Sequence, residues 1–327
     1  MLFLGEPQRP LVTRFHQGDI PPRDIESDPL LSRWARARSL GVRADADAHP
    51  EGTTGADLAV RKDRLEAVFR EESSLLAPLA EDLSQRNMLA LVADSEGVIL
   101  LARGGGGLAT EAGRVRLVEG TRWSESARGT NAIGTAIAES RPVAVVGAAH
   151  FEERNHGLFC YATPIRDAYG DLVAVLDVTG AAPHHNPAVA LAVHAAGAAL
   201  ERSLHQREYA AATPGGLAFI ESLLSRAATP AMLVSASGAI LSLNPLAAEA
   251  LGVDTPQGLT AERVFGAPVR ALESMALSPR EGHARFETRR GRYRLDLTPL
   301  HGAGGRLLAL VVYLEPERIR TVFTPLT

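Results

Sequence analysis

Residues 119–180 read EGTRWSESARGTNAIGTAIAESRPVAVVGAAHFEERNHGLFCYATPIRDAYGDLVAVLDVTG. Thr130 or Asn131 offers a side-chain oxygen to cap a short helix running to Ala138. Gly134, Thr135 and Ala138 are small enough to let that helix lie close against a sheet. The stretch from Pro142 to Gly147 is a short β-branched strand, and a loop carrying His150 and Phe151 follows. A longer strand from Leu158 to Ile165 then turns back into its hairpin partner, Leu172 to Val178. Strands, loop and cap helix in this order would surround a pocket to which Trp123, His150, Phe151, His156 and Cys160 contribute.

The same hairpin grammar recurs on either side. MLALVADSEGVILLARG (88–104) is two apolar runs about the turn Asp94-Ser95-Glu96-Gly97, and TPIRDAYGDLVAVLDVTG (163–180) repeats the pattern. AMLVSASGAILSLN (231–244) and LDLTPLHGAGGRLLALVVYL (295–314) form a second set. Two sets of hairpins predict an α+β chain with two antiparallel-sheet domains. Between them, the alanine-rich run from Pro187 to Tyr209 is a helix of roughly 34 Å, long enough to join the domains and to pair with its copy in a dimer. Thr213-Pro214-Gly215-Gly216 breaks it, and the domain boundary is placed there.

Toward the start, Met1 to Pro22 reads as an extended lead-in. Asp28-Pro29 opens a helix that puts Leu30, Trp34 and Ala37 on one face and ends at Gly41. Its Arg33, Arg36 and Arg38 read as a solvated face. The string from Ala44 to Gly55 is a linker, and a helical stretch from Asp57 to Gln85 follows, with a break at Pro78. Gly104 to Gly107 reads as a flexible loop, and Arg289, Arg290, Arg292 and Arg294 as alternating along one strand.

The 327 residues fit about two domains, and 34 basic against 38 acidic side chains leave a net charge of −4. Such a balance gives no global pull toward nucleic acid. Lys62 is the single lysine and precedes Asp63, so no phosphate loop of the GxxxxGK[ST] type is present. Cys160 is the single cysteine, which excludes an internal disulfide and a CxxC clamp and points to a reducing compartment. No secretory leader is read, and no apolar run approaches the ~18 residues needed to cross a bilayer, so a cytoplasmic protein is expected.

Taken together, the motifs resemble the sensory GAF domain of the acetoin-catabolism-regulator family, bacterial activators that work with sigma-54 RNA polymerase. Trp123-Ser124-Glu125, Gly129 to Ala136, Pro142 to Val145, His150-Phe151 and Cys160 to Gly180 follow one another in that family's order. Ser32 to Arg36 with Leu40-Gly41 is similar to the family's leading helix. Ala231 to Gly252 looks like the opening of a PAS domain, whose Asn244 ends a strand and leads into a small helix. The resemblance implies residues 1–56 as an arm and helix, 57–212 as a GAF-like domain and 213–327 as a PAS-like domain. It implies the sensory region of such an activator without the ATPase and DNA-binding domains, either as the excised sensory half or as a protein that has only sensors.

The expected function is regulatory: a small organic effector (an alcohol, ketone, diol or aromatic) enters the GAF-like pocket, and the long helix transmits the change. Trp123, Ser124, Glu125, Asn131, Thr135, His150, Phe151, His156 and Cys160 are the candidate ligand-binding residues. No cofactor, metal, membrane or direct nucleic-acid contact is expected, whereas a homodimer and the transcription machinery or an activator protein are expected partners. The alternatives are a GAF-fold enzyme such as a sulfoxide reductase, a haem or bilin sensor, and a scaffolding dimer. A lone cysteine lacks the resolving partner that thiol redox catalysis uses, and the His150–His156–Cys160 spacing matches no standard metal pattern.

Overall fold

A computed structural model describes residues 2–3, 9–45, 52–69, 80–212, 215–277 and 285–317. The chain divides into two compact units, residues 1–166 with 172–203 and residues 167–171 with 204–327.

In the first unit β1 (Leu2–Phe3), β2 (Leu89–Asp94), β3 (Ile99–Gly104), β4 (Val143–Val146), β5 (Leu158–Arg166) and β6 (Leu172–Ala181) form one sheet in the order β1-β4-β5-β6-β2-β3. Its neighbours are antiparallel except for the two-residue β1, which runs parallel to β4. The hairpins β2–β3 and β5–β6 are those read from the turn chemistry. Register places Cys160 opposite Val145 and Thr179, and Ala162 opposite Val143 and Asp177. Side chains alternate along a strand, so Cys160, Ala162, Val175, Asp177 and Thr179 share one face. That face meets Trp123, Ile133, Ala136 and Phe151 in a single apolar core.

Over the sheet lies the helix Ala132–Glu139, capped by Asn131, whose Oδ1 accepts from the Gly134 N–H at 2.8 Å. Gly134 permits a close approach, but to the backbone of Trp123 and Glu125 rather than to the sheet, and Ala138 is exposed. A Cβ on Gly134 would stand 2.6 Å from the Glu125 nitrogen and the Trp123 carbonyl oxygen.

The amino-terminal region departs from its sequence reading in two ways. The segment read as an extended lead-in contains the helix Arg9–Gln17 and runs into a second, Pro22–Ser27, and Phe15 is buried against Trp34 with ring centroids 5.2 Å apart. Helix Pro29–Ser39 starts as expected, with Asp28 Oδ1 accepting from the Leu30 and Leu31 N–H groups at 2.8 and 3.0 Å. Its arginines, however, are only partly a solvated face, since Arg38 is exposed but Arg36 is half-buried. Arg33 is buried and meets both oxygens of Glu139 at 2.7 Å, and Arg38 lies over the Phe15 ring. Trp34 donates its indole N–H to the Ala149 carbonyl at 3.0 Å, and the helix thereby becomes a wall of the core.

Helix Gly55–Val68 covers the first part of the next predicted helix, while Leu76, the expected break at Pro78 and Leu79 fall outside the described residues. Instead of a loose loop, Gly106–Leu108 form a tight 3-10 turn leading into helix Ala109–Arg114, with Gly107 N–H held by Asn87 Oδ1 at 2.9 Å.

In the second unit β7 (Ala231–Ser235), β8 (Ile240–Leu243), β9 (Arg285–Thr288), β10 (Gly291–His301) and β11 (Leu307–Pro316) form an antiparallel sheet in the order β8-β7-β11-β10-β9. Asn244 ends β8 and caps helix Pro245–Leu251, accepting from the Ala231 and Ala247 N–H groups. Arg289 and Arg290 sit in the turn between β9 and β10, so only Arg292 and Arg294 lie on the strand, paired with Glu287 and Glu315. Helix Pro187–Ala212 begins in the residues of the first unit and ends in those of the second. Among the described residues no helix is long and apolar enough to cross a membrane.

Candidate ligand site in the core of the first unit

Folded proteins pair nearly all their buried polar atoms, so exceptions locate places built for something besides the chain itself. Among the described residues, the buried side-chain polar atoms without a hydrogen-bond partner all lie in the first unit. The second unit instead holds an open groove of about 560 Å³ lined by Ala250, Leu251, Leu259, Val264 and Phe286, whose size alone assigns it nothing. Buried polar chemistry weighs more than groove volume here, and it selects the first unit.

The nine sequence candidates separate into three groups. Glu125, Thr135, Asn131 and Ser124 are occupied with structure. The buried Glu125 carboxylate accepts from Arg36 Nη2 at 2.7 Å and from the Thr135 hydroxyl at 2.6 Å, which ties the leading helix to the cap helix. Asn131 uses its oxygen on Gly134 and its NH₂ on the Gly129 carbonyl. Ser124 precedes helix Glu125–Arg128, and its hydroxyl stands 3.0 Å from that of Ser126.

Trp123, His150, Phe151 and His156 form the second group. His150 Nδ1 stands 3.0 Å from the Gly147 carbonyl, which can only accept, so Nδ1 carries the proton and Nε2 is a bare acceptor. Nε2 has no partner, and burial drives the imidazole pKa down to about 4, keeping it neutral. His156 donates from Nε2 to the His150 carbonyl at 3.2 Å. Phe151 packs on Gly129, where an added Cβ would fall 2.7 Å from the ring. Trp123 is buried and hydrogen-bonded to the Arg116 carbonyl at 3.1 Å.

Cys160 stands in the third group, with two residues the sequence reading did not single out. The Thr179 hydroxyl lies 3.1 Å from Cys160 Sγ and 2.7 Å from Asp177 Oδ2. Asp177 Oδ1 is buried without a partner, and burial pushes the carboxyl pKa up to about 7. When Asp177 is protonated it donates to Thr179, which frees the hydroxyl proton for the sulfur. Burial and the nearby Asp177 push the Cys160 thiol up, away from the thiolate that nucleophilic chemistry needs.

Arg128 and Asn155 were also missed, Thr130 was read only as a helix cap, and Glu152 was not among the candidate ligand residues. Arg128 and Glu152 are both buried and meet at 3.4 Å, and Asn155 donates to Glu152 at 3.2 Å. Arg128 Nε and Nη2, Thr130 Oγ1, Glu152 Oε1 and Asn155 Oδ1 have no partner. The core thus offers unmet donors on Arg128 and unmet acceptors on His150, Glu152 and Asn155. A small oxygen-bearing molecule presents the complementary pattern.

Comparison with known proteins places this core in context. The acetoin dehydrogenase operon transcriptional activator AcoR of Bacillus subtilis is 33% identical over 159 residues, which are 47% of this chain and 26% of that protein. The propane 2-monooxygenase operon transcriptional activator MimR of Mycolicibacterium smegmatis is 29% identical over 187 residues, 55% of this chain and 30% of that protein. The matches therefore span between a quarter and a third of the length of these relatives. The Escherichia coli DhaR(N)–DhaL complex contains a chain of the same fold, with a TM-score of 0.54 and 19% identity over 89% of this chain and 100% of that one. The resemblance carried by the ordered motifs is borne out by these relatives. The family model for the MimR N-terminal domain matches residues 7–202, which hold the leading helices, β2 to β6 of the first sheet and the first part of the long helix, and the chain belongs to that family.

Proposed function

We propose that this chain is the signal-receiving region of a transcriptional activator, with a small organic effector bound in the core of its GAF-like first unit. The observation that carries the reading is the set of buried, unpartnered polar atoms at Arg128, Thr130, His150, Glu152, Asn155 and Asp177. A ligand that meets them in one arrangement of the unit and not in another shifts the balance between the two. Helix Pro187–Ala212 is the element through which that shift passes toward the PAS-like residues that follow. The raised thiol pKa of Cys160 supports sensing over thiol catalysis. A homodimer is part of the same proposal, and sedimentation equilibrium checks it.

The test is a thermal-shift panel on the full chain, covering short alcohols, ketones, diols, aromatic compounds and organic acids. At a hundred times Kd a ligand contributes about 2.7 kcal/mol, enough to move the Tm by several degrees. At least one class is expected to do so. A folded protein that responds to none overturns the effector reading.

A further inference from the structure

Arg128 ends the short helix Glu125–Arg128 and is 1% exposed. The Trp123 ring lies 5.1 Å from its guanidinium carbon and covers one side of the group. Nη1 makes a long contact of 3.4 Å to Glu152 Oε2, while Nε and Nη2 have no partner. Those two nitrogens form one edge of the planar fork, where two N–H bonds run side by side at the spacing of the two oxygens of a carboxylate.

The same edge is used in this way elsewhere in the chain. Arg33 presents Nε and Nη2 to Glu139 at 2.7 and 2.7 Å, Arg43 to Asp45 at 3.0 and 2.9 Å, and Arg114 to Glu111 at 3.0 and 2.6 Å. Each of those carboxylates comes from the chain. Among the described residues no carboxylate takes the Arg128 edge, although leaving a buried guanidinium unmet is far more costly than leaving an exposed one.

The charges nearby favour an anion. Glu152 Oε2 is shared between Arg128 and Arg154, each at 3.4 Å, and Arg116 adds a further positive field at Arg128. Burial pushes the Glu152 carboxyl pKa up and the Arg128 pKa down, and one carboxylate shared by two guanidiniums leaves the cluster with more basic than acidic groups. Trp123, which covers the guanidinium, belongs to the apolar core of this unit together with Ile133 and Phe151.

We propose that the Nε–Nη2 edge of Arg128 receives the carboxylate of a small organic acid whose short hydrocarbon part lies in the surrounding apolar core. The assignment rests on the reading of a buried effector site given above, and it names the chemical class that site takes.

The full chain is titrated with acetate, propionate, butyrate and benzoate, and in parallel with the corresponding primary amides and alcohols, by calorimetry and by ¹H–¹⁵N spectra of arginine side chains. Saturable binding is expected for at least one acid, with the matching amide weaker by roughly tenfold or more. One Nε–H resonance is expected to move in step with saturation, and Arg128→Lys to abolish that movement and weaken the acid by roughly tenfold or more. If Arg128→Lys does not fold, the titration of the unaltered chain decides alone. Acid binding that leaves all arginine Nε–H resonances in place, or binding of alcohols or amides without acids, overturns the carboxylate assignment and leaves the effector reading standing. Binding of no compound overturns the carboxylate assignment, and the effector reading falls with it only when the ketones, diols and aromatic compounds of the thermal-shift panel fail as well.

Discussion

Asp177 and His150 are buried titrating groups whose effects on stability run in opposite directions. Asp177 has a folded pKa of about 7 against an ordinary value of 3.8, so the stability it contributes is present below 3.8 and is lost as pH rises through 7. His150 has a folded pKa of about 4 against 6.5, so its contribution is present above 6.5 and is lost as pH falls through 4. Between those limits the two slopes largely cancel. Asp177→Asn is expected to remove one of them, raising stability near pH 8 by up to roughly 4 kcal/mol and leaving a protein that weakens steadily from pH 6.5 to 4. Urea unfolding at several pH values checks this, and a parallel profile for Asp177→Asn and the unaltered chain would rule it out. Both residues stand in legible motifs, but only the histidine stood out as functional. The signal for Asp177 lies in its parity: it interrupts the apolar strand LVAVLDV on the same face as Val175 and Thr179. Arg128 left no such mark, because the sequence around it gives no period from which the burial of a charge can be read.

Caps and close approaches govern the elements. Asp28→Ala removes the acceptor for the Leu30 and Leu31 N–H groups, and a loss of about 1 kcal/mol is expected. In an open helix Gly→Ala stabilises by about 1 kcal/mol. Gly134→Ala is expected to do the reverse and cost about 1–3 kcal/mol, because its Cβ would press on backbone atoms of Trp123 and Glu125. Glu139→Gln strips the buried Arg33 of its carboxylate, for an expected loss of about 3 kcal/mol in denaturant unfolding. In the unaltered chain, Arg33 and Arg141 hold the Glu139 carboxyl down near 2, so its support fades only as pH falls from 4.5 through 2. The hairpins were legible because a strand–turn–strand writes itself in apolar runs and turn residues that are adjacent in sequence. The first two helices were not, because Pro10, Pro21 and Pro22 break the period, and the burial of Arg33 in the third depends on Glu139, far along the chain.

On the scale of the whole molecule, the two-sheet plan followed from the spacing of the hairpin sets, whereas the side of the first sheet that carries unmet polar atoms did not. That depended on register, which sets Asp177 opposite Leu91 and Ala162. Because helix Pro187–Ala212 contributes residues to both units, it is the element to interrupt. Two glycines inserted after Arg202 are expected to leave both cores folded, yet to remove any effect of a first-unit ligand on hydrogen exchange in β7–β11. If exchange in those strands still responds, the signal takes another route.

The docking of Trp34 on Ala149 also says what the heritable piece of this protein is. A sheet-centred trimming that began at Gly55 would keep every described strand but β1, yet would uncover Ala149, unpair Glu139 from Arg33 and leave Glu125 without Arg36. The family's matched stretch likewise opens at residue 7, two positions before the first helix, rather than at the first long strand.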